Sequence, residues 1–147
     1  MVKKIARFYI PLLLMLAMAS CRVSDPTKTK NWLMISEGGG ITGAFIQYYM
    51  LPNGNIYRRE HTDTVYIKLY PMPGRIARGY FRDLPAVFLN TGDKPMPDNI
   101  SKSLVWQKNG EQKGLLWYYP SDRSDKADEF YNFLLREMHE YNPTASR

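Results

Sequence analysis

Short apolar segments alternate with turn residues from Trp32 onwards, and this spacing predicts an antiparallel sheet. The first four predicted strands span residues 32–36, 43–51, 55–59 and 64–70. Asn53-Gly54 lies between the second and third strands, where an Asn-Gly pair favours a tight hairpin. In the fourth strand Val65, Ile67 and Leu69 share one face, which predicts that this face is buried. The pattern therefore indicates a meander of four strands.

The second half of the chain contains two helical periods around another hairpin. Apolar residues recur at helical spacing from Ile76 to Leu84, and Pro85 is expected to end that helix. Two strands at 104–107 and 114–119 flank Asn109-Gly110, a second hairpin signal. A last helix begins near Ser124 or Asp125, with its apolar stripe running from Phe130 to Tyr141. We expect an α+β fold: an antiparallel sheet of about six strands (a meander of four, then a hairpin) with two helices, the last C-terminal, packed on one face.

The N-terminus has the layout of a secretory signal peptide. Lys3, Lys4 and Arg7 precede an apolar run from Phe8 to Ala19, which is too short to span a bilayer as a helix. Small residues then precede Cys21, the one cysteine of the chain. A single cysteine excludes an internal disulfide and a thiolate metal site.

The stretch Met18-Ala19-Ser20-Cys21 resembles the lipobox of bacterial lipoproteins, although Met18 stands where leucine is usual. The resemblance implies that the signal is cleaved before Cys21, and that acyl chains on Cys21 anchor the chain in a lipid bilayer. Two or three chains suffice for a stable hold, whereas one alone binds only marginally. Arg22 follows the cysteine where an aspartate would favour the inner membrane, so the resemblance implies the outer membrane. The alternative is an ordinary secreted chain with a free thiol.

Charge and length limit the remaining possibilities. The chain has 20 basic and 14 acidic residues, and loss of the three basic residues of the signal reduces the net charge from +6 to +3. This modest charge does not favour a nucleic-acid partner. We expect a signal peptide over residues 1–20, a lipidated tether over 21–31, and a single domain over 32–142.

The segment Ser36 to Phe45 is the most site-like stretch, because its glycines fit G-x-G-x-x-G. A dinucleotide loop requires a following helix, and residues 44–51 instead have the composition of a strand. The glycine-rich loop of kinases and the Walker loop are excluded, because the chain lacks the other motifs of kinases and the Gly-Lys-Ser/Thr ending of a Walker loop. Two interpretations remain: the glycines serve a strand turn, or the backbone amides of the turn form an anion-binding nest. The candidate residues are Gly38, Gly39, Gly40, Thr42 and Gly43.

The letters GGGITGAFIQYYMLPNGNIYR resemble the start of small Bacteroidota lipoproteins of uncharacterised function. The later LVWQKNGEQKGLLWYY and the C-terminal amphipathic helix fit the same layout. This resemblance covers most of the mature chain and implies no particular activity.

Aromatic residues supply a second candidate surface, since the chain has 11 tyrosines. If Val65, Ile67 and Leu69 face inward, then Tyr66 and Tyr70 face solvent, where their rings would suit a glycan or a protein partner. A second layer of structure that covers these rings is the alternative. Arg75, Arg78 and Arg82 would form a basic stripe on the middle helix, which is either solvated or in contact with anionic lipid.

Catalytic patterns are weak throughout. His61 and His139 lack a metal-ligand pattern, and no serine occupies a G-x-S-x-G elbow. We therefore assign no catalytic residue, metal or cofactor. We expect a non-catalytic envelope lipoprotein that contacts a protein or glycan partner, with a tyrosine-based ligand module and a small hydrolase as alternatives.

Overall fold

A computed structural model of the chain describes residues 25–39, 44–60, 63–89, 100–119 and 126–141. The strands are β1 (Asn31–Gly39), β2 (Ala44–Met50), β3 (Ile56–Glu60), β4 (Ile67–Lys68), β5 (Ile100–Lys108) and β6 (Glu111–Tyr119). The helices are α1 (Gly74–Phe88) and α2 (Lys126–Tyr141), and a 3-10 turn at Pro26–Lys28 precedes β1. The predicted cap of the last helix at Ser124 or Asp125 lies outside the described residues.

All six strands form one antiparallel sheet in the order β4-β3-β2-β1-β5-β6. Strands β1 to β4 are the predicted meander, and β5–β6 is the predicted hairpin, which joins the sheet at the free edge of β1. The α+β architecture with two helices, the second C-terminal, is therefore confirmed.

Both helices pack on the same face of the sheet, over the main hydrophobic core. Leu33, Ile35 and Leu104 are fully buried there, together with Leu84 from α1 and Leu134 from α2. Alternation along the five longer strands directs every second side chain towards this core. Burying a leucine or isoleucine side chain contributes about 1.5–3 kcal/mol, so these contacts hold the helices to the sheet.

Helix α1 continues past Pro85, contrary to the prediction that this residue ends it. The helix extends to Phe88, with Leu84 and Val87 both buried in the core. A proline inside a helix removes one backbone hydrogen bond and costs about 3 kcal/mol. Burial of two large side chains around Pro85 offsets much of that cost, so the last turn stays helical.

The two Asn-Gly hairpins form as predicted. Asn109 and Gly110 have φ values of 53° and 93°, as expected for a type I′ turn between β5 and β6. Gly54 has a φ of 91°, and a side chain there would collide with the carbonyl oxygen of Met72. Its own carbonyl accepts a hydrogen bond from the Met72 amide at 3.0 Å, which connects the β2–β3 turn to the segment before α1.

Residues 25–30, which the sequence assigned to a tether, are folded onto the end of the sheet. The Asp25 carboxylate accepts hydrogen bonds from the amide and hydroxyl of Thr27 at 2.9 and 2.6 Å, and it caps the 3-10 turn. The Asn109 amide donates to the Lys30 carbonyl at 2.9 Å, and the Gln107 side chain donates to the Thr29 carbonyl at 3.3 Å. These bonds join the start of the described chain to the β5–β6 turn.

Candidate binding face

The sheet has a second face, on which neither helix packs within the described residues; we call it the helix-free face. It follows from the strand alternation, because Leu33 and Ile35 point to the helices while Met34 and Ser36 point away. The register adds neighbouring side chains from the other strands: Gln47 and Tyr49 of β2, Tyr57 and Arg59 of β3, Ser103, Val105 and Gln107 of β5, and Leu116 of β6.

Arg59 is the charged residue at the centre of a hydrogen-bonded group on this face. Its guanidinium donates from Nε and Nη2 to Oε1 of Gln47, at 3.0 and 2.6 Å. It also donates to the hydroxyls of Tyr66 at 3.1 Å and Tyr49 at 3.3 Å. The guanidinium carbon lies 5.1 Å from the Tyr66 ring centroid and 5.7 Å from that of Tyr49, within cation–π range.

The hydrogen-bond partners of Arg59 are all neutral. Its charge also acts at longer range on the Asp25 carboxyl, whose pKa is lowered mainly by the hydrogen bond from Thr27 and in part by Arg59. Among the described residues no carboxylate forms an ion pair with its guanidinium, and Gln47 instead faces the Nε–Nη2 edge. That edge is the one that binds carboxylates in bidentate ion pairs. Arg59 is thus a half-buried cation whose carboxylate-binding edge is occupied by a neutral amide oxygen.

An aromatic layer surrounds this group. Tyr49 contacts the Tyr66 ring edge-on at a centroid distance of 5.3 Å and the Trp32 ring at 5.7 Å. Burial raises the pKa of Tyr49 to about 12, although the positive charge of Arg59 opposes part of that rise. The Tyr49 hydroxyl therefore stays protonated at neutral pH and can both donate and accept a hydrogen bond.

The polar row continues across the centre of the sheet. Ser36 pairs with Gln47 on one side and with Ser103 on the other, and the two serine hydroxyls lie 2.6 Å apart. Leu116, 49 % exposed, ends the row on β6. The row thus contains a cation, an amide, two hydroxyls and an apolar side chain in succession. Ser36 is buried at 5 % exposure, whereas the other four residues are at least partly exposed, and their mixture is typical of a recognition surface.

The prediction that the Tyr66 ring faces solvent is wrong. Its side chain is 8 % exposed and belongs to the aromatic layer, whereas Val65 and Ile67 are 58 % and 50 % exposed. Strand β4 lies at the sheet edge, has two paired residues and contributes no buried residue to the main core. Its apolar face, which the alternation of side chains predicted to be buried, is therefore largely exposed to solvent. Tyr70 is exposed at 75 %, so the glycan alternative retains one of its two tyrosines.

The glycine segment is only partly described. Gly38 and Gly39 end β1, where Gly39 has a φ of 118° and pairs with Ala44 across the β1–β2 hairpin. A φ of this value favours glycine, which fits the strand-turn interpretation at this position. Gly40, Thr42 and Gly43 lie outside the described residues, as does Cys21, so the anion-nest interpretation and the acylation site remain predictions.

A buried ion pair on the helix side was not predicted. Lys102 lies with Nζ 3.4 Å from Oδ1 of Asp128 and 3.0 Å from Oδ1 of Asn132, and 5.0 Å from the Tyr131 ring centroid. The Trp117 indole donates to the same Asp128 oxygen at 3.0 Å. Lys102 alternates in phase with Leu104 and Trp106, which was the available signal that it points into the core. We interpret this group as the link that orients α2 on β5 and β6.

The predicted hydrolase gains no site from the described residues. His61 is outside them, and His139 contacts the Tyr48 ring edge-on at 6.0 Å without a hydrogen bond to a described serine or carboxylate. No three His, Cys, Asp or Glu side chains of the described ranges are grouped to hold a metal ion. Arg75, Arg78 and Arg82 are exposed on α1, and Arg82 pairs with Asp83 at 3.1 Å.

No protein-family model matches the chain, and no curated protein sequence matches it. What the protein does must therefore be inferred from its own residues and their geometry.

Proposed function

We propose that the protein is an outer-membrane lipoprotein, anchored through acyl chains on Cys21, whose domain is a non-catalytic binding module. The helix-free face makes the contact, and the partner is an envelope protein that presents a carboxylate. Neither a cofactor nor a nucleic acid takes part. The proposed anchor is supported by the signal-like N-terminus and the lipobox resemblance at Cys21.

The observation that carries the binding function is the environment of Arg59. A half-buried guanidinium without a carboxylate ion-pair partner in the described chain loses hydration, and its hydrogen bonds go to neutral oxygens and its cation–π contacts to two tyrosine rings. A carboxylate on a partner would displace the Gln47 amide and form a charge-assisted bidentate pair, about twice as strong as a neutral hydrogen bond. Ser103 and Leu116 then provide polar and apolar contacts along the same row.

The anchor and the binding face are tested separately. Mass spectrometry of the processed protein is expected to show an acylated Cys21 as the first residue, and a bare N-terminus with a free thiol would refute the anchor. For the face, a photo-crosslinking residue is placed at Leu116 or at Phe133 in cells that make the acylated protein. These positions are matched at 49 % and 47 % exposure, but Phe133 lies on α2.

We expect an adduct from Leu116 and none from Phe133. The variant Gln47→Glu is the decisive addition, because its carboxylate would pair with Arg59 internally and block a partner's carboxylate. It should abolish the adduct without destabilising the fold, whereas Glu129→Gln on the exposed side of α2 should leave the adduct unchanged. Equal adducts from both positions, no adduct from Leu116, or an adduct indifferent to Gln47→Glu would refute the proposed face.

A further inference from the structure

The start of the described chain fixes which end of the sheet lies nearest Cys21. Asp25 follows Cys21 by four residues, which span at most about 14 Å when fully extended. The 3-10 turn that begins there is hydrogen-bonded to the β5–β6 turn. The β2–β3 turn lies at the same end, because Leu33 near the start of β1 pairs with Met50 at the end of β2.

This end, which we call the proximal end, is rich in exposed basic side chains. Lys28 is the last residue of the 3-10 turn, Lys30 follows the turn, and Lys108 ends β5. Arg75 and Arg78 are there too, because the segment before α1 is bonded to the β2–β3 turn through Met72. Of the acidic residues that the structure describes, Asp25, which is engaged in capping the turn, and Glu111 lie nearby.

A shallow groove of about 420 Å³ opens at the proximal end. Lys28, Lys30, Gln107 and Asn109 line it, together with the two threonines of the turn and Gly110. Both threonine hydroxyls donate their protons within the turn, so the two lysine ammonium groups are the main donors that the groove offers to phosphate oxygens. The volume is in the range of small-ligand sites.

We propose that the proximal end is a docking surface for the anionic phospholipid headgroups of the bilayer that holds Cys21, so that the domain stands on the membrane in one orientation. This inference rests on the proposed lipid anchor. The distance supports it, since a tether of about 14 Å keeps Asp25, and with it the start of the 3-10 turn, within one or two Debye lengths of the lipid at physiological salt. The helix-free face then stands roughly upright to the membrane, accessible to a partner from the side.

The test uses the acylated protein on vesicles of phosphatidylcholine alone, or of phosphatidylcholine with about one quarter phosphatidylglycerol. Flotation first establishes that the protein is bound to both. The rate of amine modification is then measured at each lysine by peptide mass spectrometry. Lys126 is the internal control, because it lies at the opposite end of the sheet from the proximal end. It is the first residue of α2, close to Asp128, and Asp128 pairs with Lys102 near the far end of β5.

We expect Lys28 and Lys30 to react at least about fivefold more slowly on the anionic vesicles than on phosphatidylcholine alone. An attraction of about 1 kcal/mol per basic residue to an anionic surface corresponds to this factor. Lys126 should react equally on both, and high salt should remove the difference. In Lys28→Gln/Lys30→Gln the protection of Lys108 should fall, whereas Arg82→Gln/Lys126→Gln, with the same change in charge, should retain it.

The flotation and labelling results test the lipid anchor and the docking surface as two proposals. Flotation on both vesicles with equal rates at Lys28 and Lys126 overturns the docking surface and leaves the anchor standing. Failure to float on phosphatidylcholine overturns the anchor, and protection of Lys28 on anionic vesicles in that case still supports the docking surface. Failure to float on either vesicle overturns both.

Discussion

Replacing Asp128 with alanine is expected to destabilise the protein by about 3 kcal/mol. The substitution leaves the Lys102 ammonium, whose side chain is 6 % exposed, without its carboxylate, and it removes the acceptor of the Trp117 indole. Breaking a buried ion pair by removing one partner costs about 3–5 kcal/mol. The Asp128 side chain is 18 % exposed, so water can enter and the lower end of that range applies.

A double-mutant cycle of Asp128→Ala with Lys102→Met measures the coupling energy between the two side chains. Methionine keeps the length and packing of the stem, and Asp128 retains Trp117 and Asn132 as donors, so this variant should lose about 1–2 kcal/mol. If Lys102 and Asp128 act as one unit, the double variant loses about 2 kcal/mol rather than the sum, which gives a coupling energy of about 2–3 kcal/mol.

Urea unfolding followed by far-UV circular dichroism provides the measurement. With a slope of about 1–1.5 kcal/mol per molar urea for a domain of this size, Asp128→Ala should lower the midpoint by about 2–3 M. A loss below about 1 kcal/mol with a coupling energy within error would show that the pair does not hold α2 on the sheet.

Three further outcomes are expected. Gly54→Ala should lower the free energy of unfolding by about 2–4 kcal/mol, because its φ of 91° and the Met72 carbonyl exclude a side chain. Gly79→Ala, where α1 has open space for a methyl group, should raise the free energy of unfolding by about 0.5–1 kcal/mol. Thermal melts of the two variants measure the difference. Tyr49, whose pKa is raised to about 12, stabilises the fold below pH 10 and loses this contribution as the pH rises from about 10 to 12, which urea midpoints at several pH values would reveal. Tyr131→Phe should cost about 1–2 kcal/mol in a urea melt, since its buried hydroxyl donates to a β1 carbonyl at 3.1 Å.

The fold was predictable where local signals agreed. Alternation and the Asn-Gly pairs identified the meander and the β5–β6 hairpin, and helical spacing identified both helices. The strand ends were not predictable in the same way: β5 begins at Ile100 rather than Leu104, because Ser101, Lys102 and Ser103 have no apolar pattern and acquire strand geometry only by pairing with β1. Long-range pairing overrode local propensity there.

The candidate face could not be read from the chain in advance. Gln47, Tyr49, Arg59 and Tyr66 come from three parts of the sequence, and only the β2–β3 register and the packing of the segment before β4 bring them together. Tyr66 was assigned to solvent because a strand's apolar face is usually the buried one. That rule fails at this sheet edge, where Val65 and Ile67 are exposed and Tyr66 buries its ring in the opposite layer.

The place of β1 in the sheet has a mechanical consequence. A pull exerted through the residues before Asp25 enters the domain at its central strand, which is laddered to β2 on one side and to β5 on the other. If the opposing load acts at the far end of the sheet, both ladders bear it together in shear, and their hydrogen bonds must rupture in concert rather than open singly. Tension applied in this geometry would therefore be carried along the strand axis by both ladders of β1.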